Sequence, residues 1–312
     1  MEVSYRAMRA DEVPEVEALY KLAFGTEFQL SDPTAFRGDA GLVYTRYRAY
    51  PDGCLVGIVD GEVIGFCVVN RLGSVGVLGP VCVHPRAWNQ GIARELVRRG
   101  VARIDAWGCA VAGLFTNPAS PRHMRLYQSF GFWPRHLTVV MRGDSVMPEP
   151  SQAYESLATS SRSRPALLAD ARLLTGTAFR GLDLGREIES VLDLGFGDVL
   201  FRYDRDRLVG VAVCHYGKLS EGGSGALFIK FAQVAGGEGA QESLRQLVLA
   251  CAAHARRVGV AKILVGVNTA RHDAYRVLLE LGLRSEFQGV RMHRPWVDIY
   301  DQPEHFILDD WR

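Results

Sequence analysis

The sequence predicts an α+β protein made of two related domains. Its 312 residues are about twice the usual ~150-residue domain. Apolar residues alternate with a period of two in several short runs, which indicates strands, and follow a helical period in others. The order of these runs restarts after residue 165, so we expect the two domains to share one fold.

The first half is predicted to alternate strands and helices in a defined order. A short first strand precedes an amphipathic helix over Asp11–Phe24, whose apolar residues share one face. Asp60 and Gly61 tolerate positive φ, so they are predicted to join two β-rich runs as a hairpin. The other predicted elements are strands at Leu55–Val59, Val63–Val69, Val75–Val83 and Val111–Thr116, helices from Gly91 to Trp107 and from His123 to Phe130, and a final pair of strands.

The predicted boundary between the domains is a segment rich in Ser, Pro and charged residues. Residues 143–165 have few large apolar side chains, which is typical of a linker. The N-terminal domain is therefore predicted at 1–142 and the C-terminal domain at 166–312. The latter starts with a helix over Ala166–Phe179, followed by strands at Asp198–Tyr203, Leu208–His215 and Ala226–Val234.

An internal duplication explains why the element order restarts. Shifting the sequence by 151 residues, the difference between 292 and 141, aligns 91–141 with 242–292 without a gap. Glycines that follow predicted helices and a single Asn after a strand coincide, which two unrelated helix–strand–helix units would rarely achieve. The matches are Arg94 with Arg245, Leu96 with Leu247, Val97 with Val248, Gly108 with Gly259, Asn117 with Asn268, Arg125 with Arg276, Gly131 with Gly282, and Met141 with Met292.

Composition excludes several classes of partner. With 36 basic and 35 acidic side chains the formal charge is +1, which does not indicate a nucleic-acid or membrane surface, and the Arg98–Arg103 face is interpreted as a solvated helix surface. No apolar run reaches the length of a membrane span and no secretory leader is recognisable. The six dispersed cysteines lack zinc spacing, so we expect buried thiols, no metal and a cytoplasmic location.

The stretch from Val81 to Val97 is predicted to form a strand, a loop and the start of a helix. A helix N-terminus presents unsatisfied backbone N–H groups and about half a positive charge, so it attracts anions. Small residues at Gly91 and Ala93 would let a pyrophosphate approach the backbone. A glycine at an ordinary strand-to-helix turn would produce the same local pattern, so the residues around this stretch decide its meaning.

Those surrounding residues resemble the GNAT superfamily of acetyltransferases. The superfamily motif has two valines, a proline, and a glycine followed by a second small residue, then an Asn after the next strand and a Leu-Tyr…Gly-Phe signature. Trp88 stands where the family usually has Gln or Arg, so one polar contact to the cofactor is in doubt. The matching residues are Val81, Val83, Pro85, Gly91, Ala93, Asn117, Leu126, Tyr127, Gly131 and Phe132.

The resemblance implies two tandem GNAT-like domains, each a twisted, mostly antiparallel sheet flanked by helices, and acetyl-CoA as co-substrate. The strand edge would pair with the pantetheine arm, the loop and helix start would hold the pyrophosphate, and Asn117 would bind the arm, although Asn117 also fits a turn cap. The implied cofactor-binding residues are Val81, Cys82, Val83, Trp88, Asn89, Gln90, Gly91, Ile92, Ala93, Arg94 and Asn117.

The reaction that the resemblance implies is direct acetyl transfer to a primary amine in a ternary complex. Tyr127 would protonate the departing thiolate, because a phenol stays protonated at neutral pH; the alternative is a core aromatic. No general base is identified: His84 and His123 fit surface or capping roles better. A water chain, or an acid from the second domain or the C-terminal tail, remains open.

The second half is predicted to have lost cofactor binding. At the 151-residue shift Gly91 becomes Glu242, whose charge would repel phosphates, and Tyr127 becomes Leu278. This domain is either purely structural or forms a wall of the acceptor site. An alternative for the whole protein is a non-catalytic acyl-CoA-binding or sensing module. The acceptor amine is not identified, and both a monomer and a homodimer remain open.

Overall fold

The computed structural model describes residues 2–312 and shows the same element order twice. The first half contains β1 (Ser4–Ala7), α1 (Val13–Glu27), α2 (Leu42–Ala49), β2 (Cys54–Val59), β3 (Glu62–Leu72), β4 (Val75–Val83), α3 (Ile92–Ala106), β5 (Val111–Thr116), α4 (Pro121–Gln128) and β6 (Trp133–Asp144). The second half contains β7 (Glu155–Ser156), α5 (Arg164–Gly176), α6 (Gly185–Leu194), β8 (Gly197–Asp204), β9 (Arg207–Gly217), β10 (Gly223–Val234), α7 (Ala240–Arg257), β11 (Lys262–Asn268), α8 (His272–Glu280), β12 (Arg284–Arg294) and β13 (Ile307–Asp309).

Local signals set several of these boundaries. The hairpin between β2 and β3 turns through Asp60 and Gly61, which have φ of 50° and 86°. Helix α4 begins after Ser120, whose hydroxyl oxygen accepts the His123 N–H and satisfies one donor of the first turn. Glycines at matching helix ends of the two halves have similar positive φ values, 67° at Gly108 and 77° at Gly259. These shared backbone conformations confirm the duplication.

The two halves form one continuous sheet because they exchange their last strands. Within residues 2–312 the strand order is β1-β2-β3-β4-β5-β12-β6-β11-β10-β9-β8-β7, with β13 paired to β10 off this path. Strand β12 of the second half pairs with β5 of the first half, and β6 of the first half pairs with β11 of the second. Strands β6 and β12 also pair with each other at the centre.

This exchange corrects the prediction that the first half ends in its own pair of strands. Only β6 follows α4, and the strand beside β5 comes from the second half. The segment 143–165 also contains a short strand, β7, which pairs with β8 as β1 pairs with β2. Sequence periodicity identifies a strand but not its neighbour in the sheet, which explains the error.

Helices cover both faces of the sheet. In the first half α3 and α4 pack on one face, around Leu96, Val97 and Phe132, while α1 and α2 cover the other. A third core lies under α5 and α6 and includes Val75 and Val77 of β4, so it joins the halves. Among the helices of residues 2–312, none has the length and apolar character needed to cross a membrane.

Parallel pairing inside each half ends after a few residues and leaves a slot. Strand β4 pairs with β5 from Val75 to Val77 and then separates from it. Strand β10 pairs with β11 at Leu227–Ile229 in the same way, but there the gap is filled by β13, which pairs with β10 through Phe231, Ala232 and Gln233. The C-terminal segment of the chain therefore occupies the slot of the second half.

Buried ion pairs hold this C-terminal segment in place. Asp309 of β13 accepts hydrogen bonds from Arg271 (2.6 Å), from Arg291 and from the Tyr300 hydroxyl (2.7 Å), and all four side chains are almost fully buried. Burial opposes ionisation of Asp309, but Arg291 and Arg271 outweigh it and lower its pKa to about 2. The carboxylate is therefore charged at neutral pH and compensates two buried arginines.

Replacing Asp309 by Ala is expected to lower the free energy of unfolding by about 3–5 kcal/mol, because Arg271 and Arg291 would lose a buried counter-charge. Asp298→Ala is the matched control, since Asp298 pairs with Arg135 while remaining 76% exposed, and should cost less than about 1 kcal/mol. Urea unfolding of both variants measures the difference. Equal losses would contradict the anchoring role of Asp309.

Candidate active site

The loop before α3 forms an exposed helix N-terminus. Gly91 is the N-cap residue with φ of 80°, and Asn89 also has a positive φ of 63°. A Cβ at Gly91 would meet no atom within 4 Å, so the space beside the backbone is open. Asn89, Gln90, Gly91 and Arg94 are exposed, whereas Ile92 points into the core. Backbone N–H groups at this helix start are therefore exposed.

The strand edge beside this helix start is also accessible. Val81, Cys82 and Val83 pair with β3 on one side, while β4 pairs with β5 on the other side only as far as Val77. A bulge at Gly79 and Pro80 interrupts the β3–β4 register between these two regions. The backbone of Val81–Val83 therefore has one edge turned towards the slot between β4 and β5.

The side chains of this strand segment lie on opposite faces of the sheet. Val81 and Val83 face α3 and α4, whereas Cys82 lies under α1. Burial raises the pKa of the Cys82 thiol, so it is not a thiolate at neutral pH. The Cys82 side chain is therefore a buried, neutral thiol that takes no part in the slot.

Trp88 makes a structural contact. Its indole N–H donates to the Val83 carbonyl oxygen at 2.7 Å, and the Arg122 guanidinium lies over its ring at 5.4 Å from the centroid. Since an indole has a single donor, this hydrogen bond uses the polar group of the side chain. Trp88 therefore ties the loop to the end of β4.

Asn117 differs from its duplicate in one respect that matters for binding. In both copies the side-chain oxygen accepts a backbone N–H two residues on, from Ala119 and Ala270. The amide NH₂ of Asn268 is also used, because it donates to Thr138 at 3.0 Å. Among residues 2–312 no acceptor is bonded to the Asn117 NH₂ group, which remains available to a ligand.

Tyr127 lies in the same apolar cluster as Val81, Val83 and Ala93. Its ring meets Phe132 edge-on with centroids 6.5 Å apart, and its side chain is 9% exposed. Within residues 2–312 no protein group forms a hydrogen bond with its hydroxyl. Burial raises the pKa of Tyr127, so the phenol keeps its proton at neutral pH. The corresponding Leu278 is fully buried and has no proton to donate.

The two histidines considered from the sequence have ordinary structural roles. His84 Nδ1 accepts the Arg86 N–H at 3.2 Å and stabilises the turn after β4. His123 lies in the first turn of α4 and is half-buried. Burial lowers the pKa of both side chains, so both are neutral at pH 7. In residues 2–312, His, Cys, Asp and Glu side chains nowhere form a group of three that would suit a metal ion.

The helix start of the second half differs from that of the first. Helix α7 has 18 residues against 15 in α3, and its N-cap glycine with positive φ is Gly239. Glu242, which aligns with Gly91 in the sequence, lies inside the first turn, where its carboxylate bonds to Gln246. The extra turn of α7 places the Glu242 carboxylate at the position equivalent to the start of α3. The slot of the second half is also filled, by β13.

Glu17 is a buried carboxyl group that the sequence analysis missed. It lies on the core-facing side of α1 and accepts the N–H of Val43 at 2.8 Å, so it caps α2, whose N-cap residue is a glycine. Its other oxygen is buried without a partner within residues 2–312. Burial raises its pKa, although the Val43 N–H opposes this. An acidic residue inside an apolar helix stripe was the signal available in the sequence.

Comparisons with known proteins show a family match within the first half. Residues 14–132 match the sequence model of the Acetyltransferase (GNAT) family. This segment contains Val81–Arg94, Asn117 and Tyr127. No curated protein matches the chain.

Solved structures with the same fold extend over nearly the whole chain. One from Pyrococcus horikoshii, assigned as an acetyltransferase, has a TM-score of 0.71 at 15% identity and covers 99% of this chain and 95% of its own. A GCN5-related N-acetyltransferase from Sphaerobacter thermophilus has a TM-score of 0.61 at 19% identity, and the match covers 96% of this chain and 98% of that one. A tandem GNAT protein from the clavulanic acid biosynthesis pathway has a TM-score of 0.61 at 14% identity, and the match covers 95% of this chain and all of that one. At these identities the likeness establishes the tandem fold.

Glu17→Gln is expected to make folding stability less dependent on pH. A carboxyl group whose pKa is higher in the folded state destabilises that state once ionised, so the wild-type protein loses stability as pH rises above about 4.3. The amide retains an acceptor for Val43 and removes the charge. Thermal unfolding should show a gain for the variant that is larger at pH 8 than at pH 5. Glu189→Gln is the control, because Glu189 is an exposed residue of α6. An equal gain in that variant would contradict this explanation.

Proposed function

We propose that the chain is an acyltransferase that transfers an acetyl group from acetyl-CoA to a primary amine, because residues 14–132 match the Acetyltransferase (GNAT) family model. The proposed donor site consists of the helix start at Gly91, the strand edge at Val81–Val83, and Asn117. The N-terminal domain, proposed at 1–142, holds this site, and the proposed domain 166–312 binds no cofactor. The six free thiols fit the proposed cytoplasmic location.

The observation that carries this proposal is the contrast between the two slots. The duplication supplies the same parallel pair of strands twice, yet in the second half β13 bonds to Phe231–Gln233. The shift of 151 residues makes Ala232 and Gln233 the counterparts of Val81 and Cys82. A peptide segment thus pairs with one strand edge, which supports the proposal that an amide-containing arm pairs with the other.

Four groups of the chain have proposed roles in the reaction. The backbone N–H groups around Gly91 bind the pyrophosphate through the helix dipole and direct hydrogen bonds. The Val81–Val83 edge pairs with the extended arm, and the Asn117 NH₂ donates to an oxygen of that arm. Acetyl-CoA supplies an activated thioester. When the amine nitrogen bonds to the acetyl carbon, the carbon–sulfur bond breaks and Tyr127 donates its proton to the leaving thiolate sulfur. The nitrogen releases one proton to water, and Tyr127 regains one proton from water.

Gly91→Glu is expected to abolish acetyl-CoA binding, because a carboxylate at the helix N-terminus repels the pyrophosphate and occupies its space. Gly108→Glu is the matched control: Gly108 has a similar positive φ and equally open surroundings, but lies at the other end of α3. Calorimetric titration with acetyl-CoA should show binding to the wild type and to Gly108→Glu only. Unchanged affinity in Gly91→Glu would refute the proposed donor site.

Tyr127→Phe is expected to lower kcat by about 10²-fold with unchanged acetyl-CoA affinity, because it removes the acid but keeps the ring in its cluster. Tyr275→Phe on α8, the second-half counterpart of α4, should leave kcat unaltered. Release of free thiol with a panel of amines measures the rate. An unchanged kcat in Tyr127→Phe would remove its role. Acetyl-CoA binding without turnover of any amine would favour the non-catalytic alternative.

A further inference from the structure

A small polar cavity lies between the two halves, on the face of the sheet opposite α3. Its volume is about 40 Å³, which is room for about three water-sized groups. The first half contributes Arg46 and Asn70, and the second half contributes Glu187 and Lys230. The C-terminal segment closes it with Asp310, Trp311 and Arg312. Charged side chains from both halves thus surround one partly open space, which we call the interdomain chamber.

Most charges around the interdomain chamber are already paired. Arg46 bonds to both carboxylate oxygens of Glu221, at 2.9 and 3.0 Å. Lys230 lies 2.6 Å from Glu187 and 2.7 Å from Glu221, and the Arg312 Nε bonds to Asp310 at 2.7 Å. Buried charges need such compensation to be tolerated. The pairs leave the chamber close to neutral, so a bound group must be neutral overall.

Three polar groups of the chamber nevertheless have unused hydrogen-bonding atoms. The side-chain oxygen of Asn70, a residue 2% exposed, has no hydrogen-bond partner among residues 2–312. Glu187 Oε2 is paired with Lys230 at 2.6 Å, but Glu187 Oε1 accepts no hydrogen bond in the described residues, and the Arg312 Nη2 donates none. Buried polar atoms are rarely left in this state. The chamber therefore offers two acceptors and one charged donor to a ligand.

The chamber borders the end of the slot at which the transferred group would arrive. Asn70 is the cross-strand partner of Val77, and Val77 pairs with Gly113 at the last point before β4 and β5 separate. The Trp311 ring lies directly against Gly113. A donor held by its pyrophosphate near Gly91 and extended along Val83 to Val81 would point its other end towards this junction.

Resting on the proposed function, we propose that the interdomain chamber binds the head group of an α-amino acid as the acetyl acceptor. The ammonium group meets the Asn70 oxygen and the Glu187 carboxylate, and the carboxylate meets the Arg312 guanidinium. Both charges of such a head group find a partner, whereas a simple alkylamine leaves the Arg312 Nη2 group without a hydrogen-bond acceptor. The side chain of the amino acid lies outside this small space, so the head group sets the class of acceptor.

Binding of amino acids to the full-length protein tests the proposal directly. The twenty standard amino acids are titrated calorimetrically with saturating CoA, and butylamine and butyrate serve as probes with one charge each. At least one amino acid should bind, and both single-charge probes should bind at least about tenfold more weakly than it does, as expected for a lost charged hydrogen bond. Absence of amino-acid binding at millimolar concentration, or equal binding of butylamine, would overturn the proposal.

Variants separate the chamber from the rest of the fold. Asn70→Ala removes an oxygen that no described protein group uses, so the fold should persist while the amino-acid Kd rises about tenfold. Glu187→Gln keeps the shape of the side chain and should weaken binding similarly. Arg71→Ala is the control, because Arg71 is the next residue of β3 but exposed. Unchanged amino-acid affinity in Asn70→Ala would refute the chamber site.

The acetyl-transfer assay distinguishes this proposal from the proposed function. In Asn70→Ala the KM for the amino acid should rise while the acetyl-CoA Kd stays constant, which general damage to the fold would not produce. Amino-acid binding that depends on Asn70, without acetyl transfer, would refute the proposed function and leave the chamber assignment standing. Acetyl transfer to amines that do not bind the chamber would overturn the chamber assignment alone.

Discussion

The pairing of β6 with β12 at the centre of the sheet is the constraint on which the rest of the structure depends. Each of these strands comes from one half and has its outer neighbour in the other half. The hydrogen bonds of these central strands are therefore completed only when the two halves are together, and no strand edge is left exposed between the halves. This arrangement brings Asn70 of β3 and Lys230 of β10 to one cavity, so a site between the halves follows from how the sheet is closed.

The two duplicated halves differ because the C-terminal segment of the chain fills the slot of the second half. Asp309 attaches the C-terminal segment to Arg271 and Arg291, and β13 then satisfies the edge of β10. Beyond β13 the same segment reaches the first half, where Trp311 packs on Gly113 and Arg312 enters the chamber. One buried carboxylate thus supports both the closed second slot and a wall of the proposed acceptor site. The second half is structural and, in our proposal, also part of the active site.

Local chemistry explains which features of the proposed donor site were predictable from the sequence. A glycine with positive φ before a helix, small residues beside it and an Asn after the next strand are short-range features, and the structure places Gly91, Asn117 and Val81–Val83 around one slot. Glu242 aligns with Gly91 in the sequence, but it is not the N-cap residue of its helix, because α7 begins about one turn earlier than α3, after Gly239. Trp88 was expected beside the cofactor, yet its N–H is bonded to Val83. A side chain's partner depends on atoms that the motif does not describe.

The sequence by itself determined most helices and strands in their order, although not α2, α6, β7 or β13. It also determined the duplication, and the first half as the one with small residues at the helix start and a tyrosine on α4. These features follow from periodicity, glycine conformation and residue identity, which act over a few neighbouring positions. Only the tertiary structure decided the exchange of β6 and β12, the insertion of β13 into the second slot, and the chamber shared by Asn70, Glu187 and Arg312. Each of these three features joins segments that are far apart in the chain, and many different strand pairings are compatible with the same local sequence pattern. The choice among them depends on how burial and charge compensation are met throughout the folded molecule.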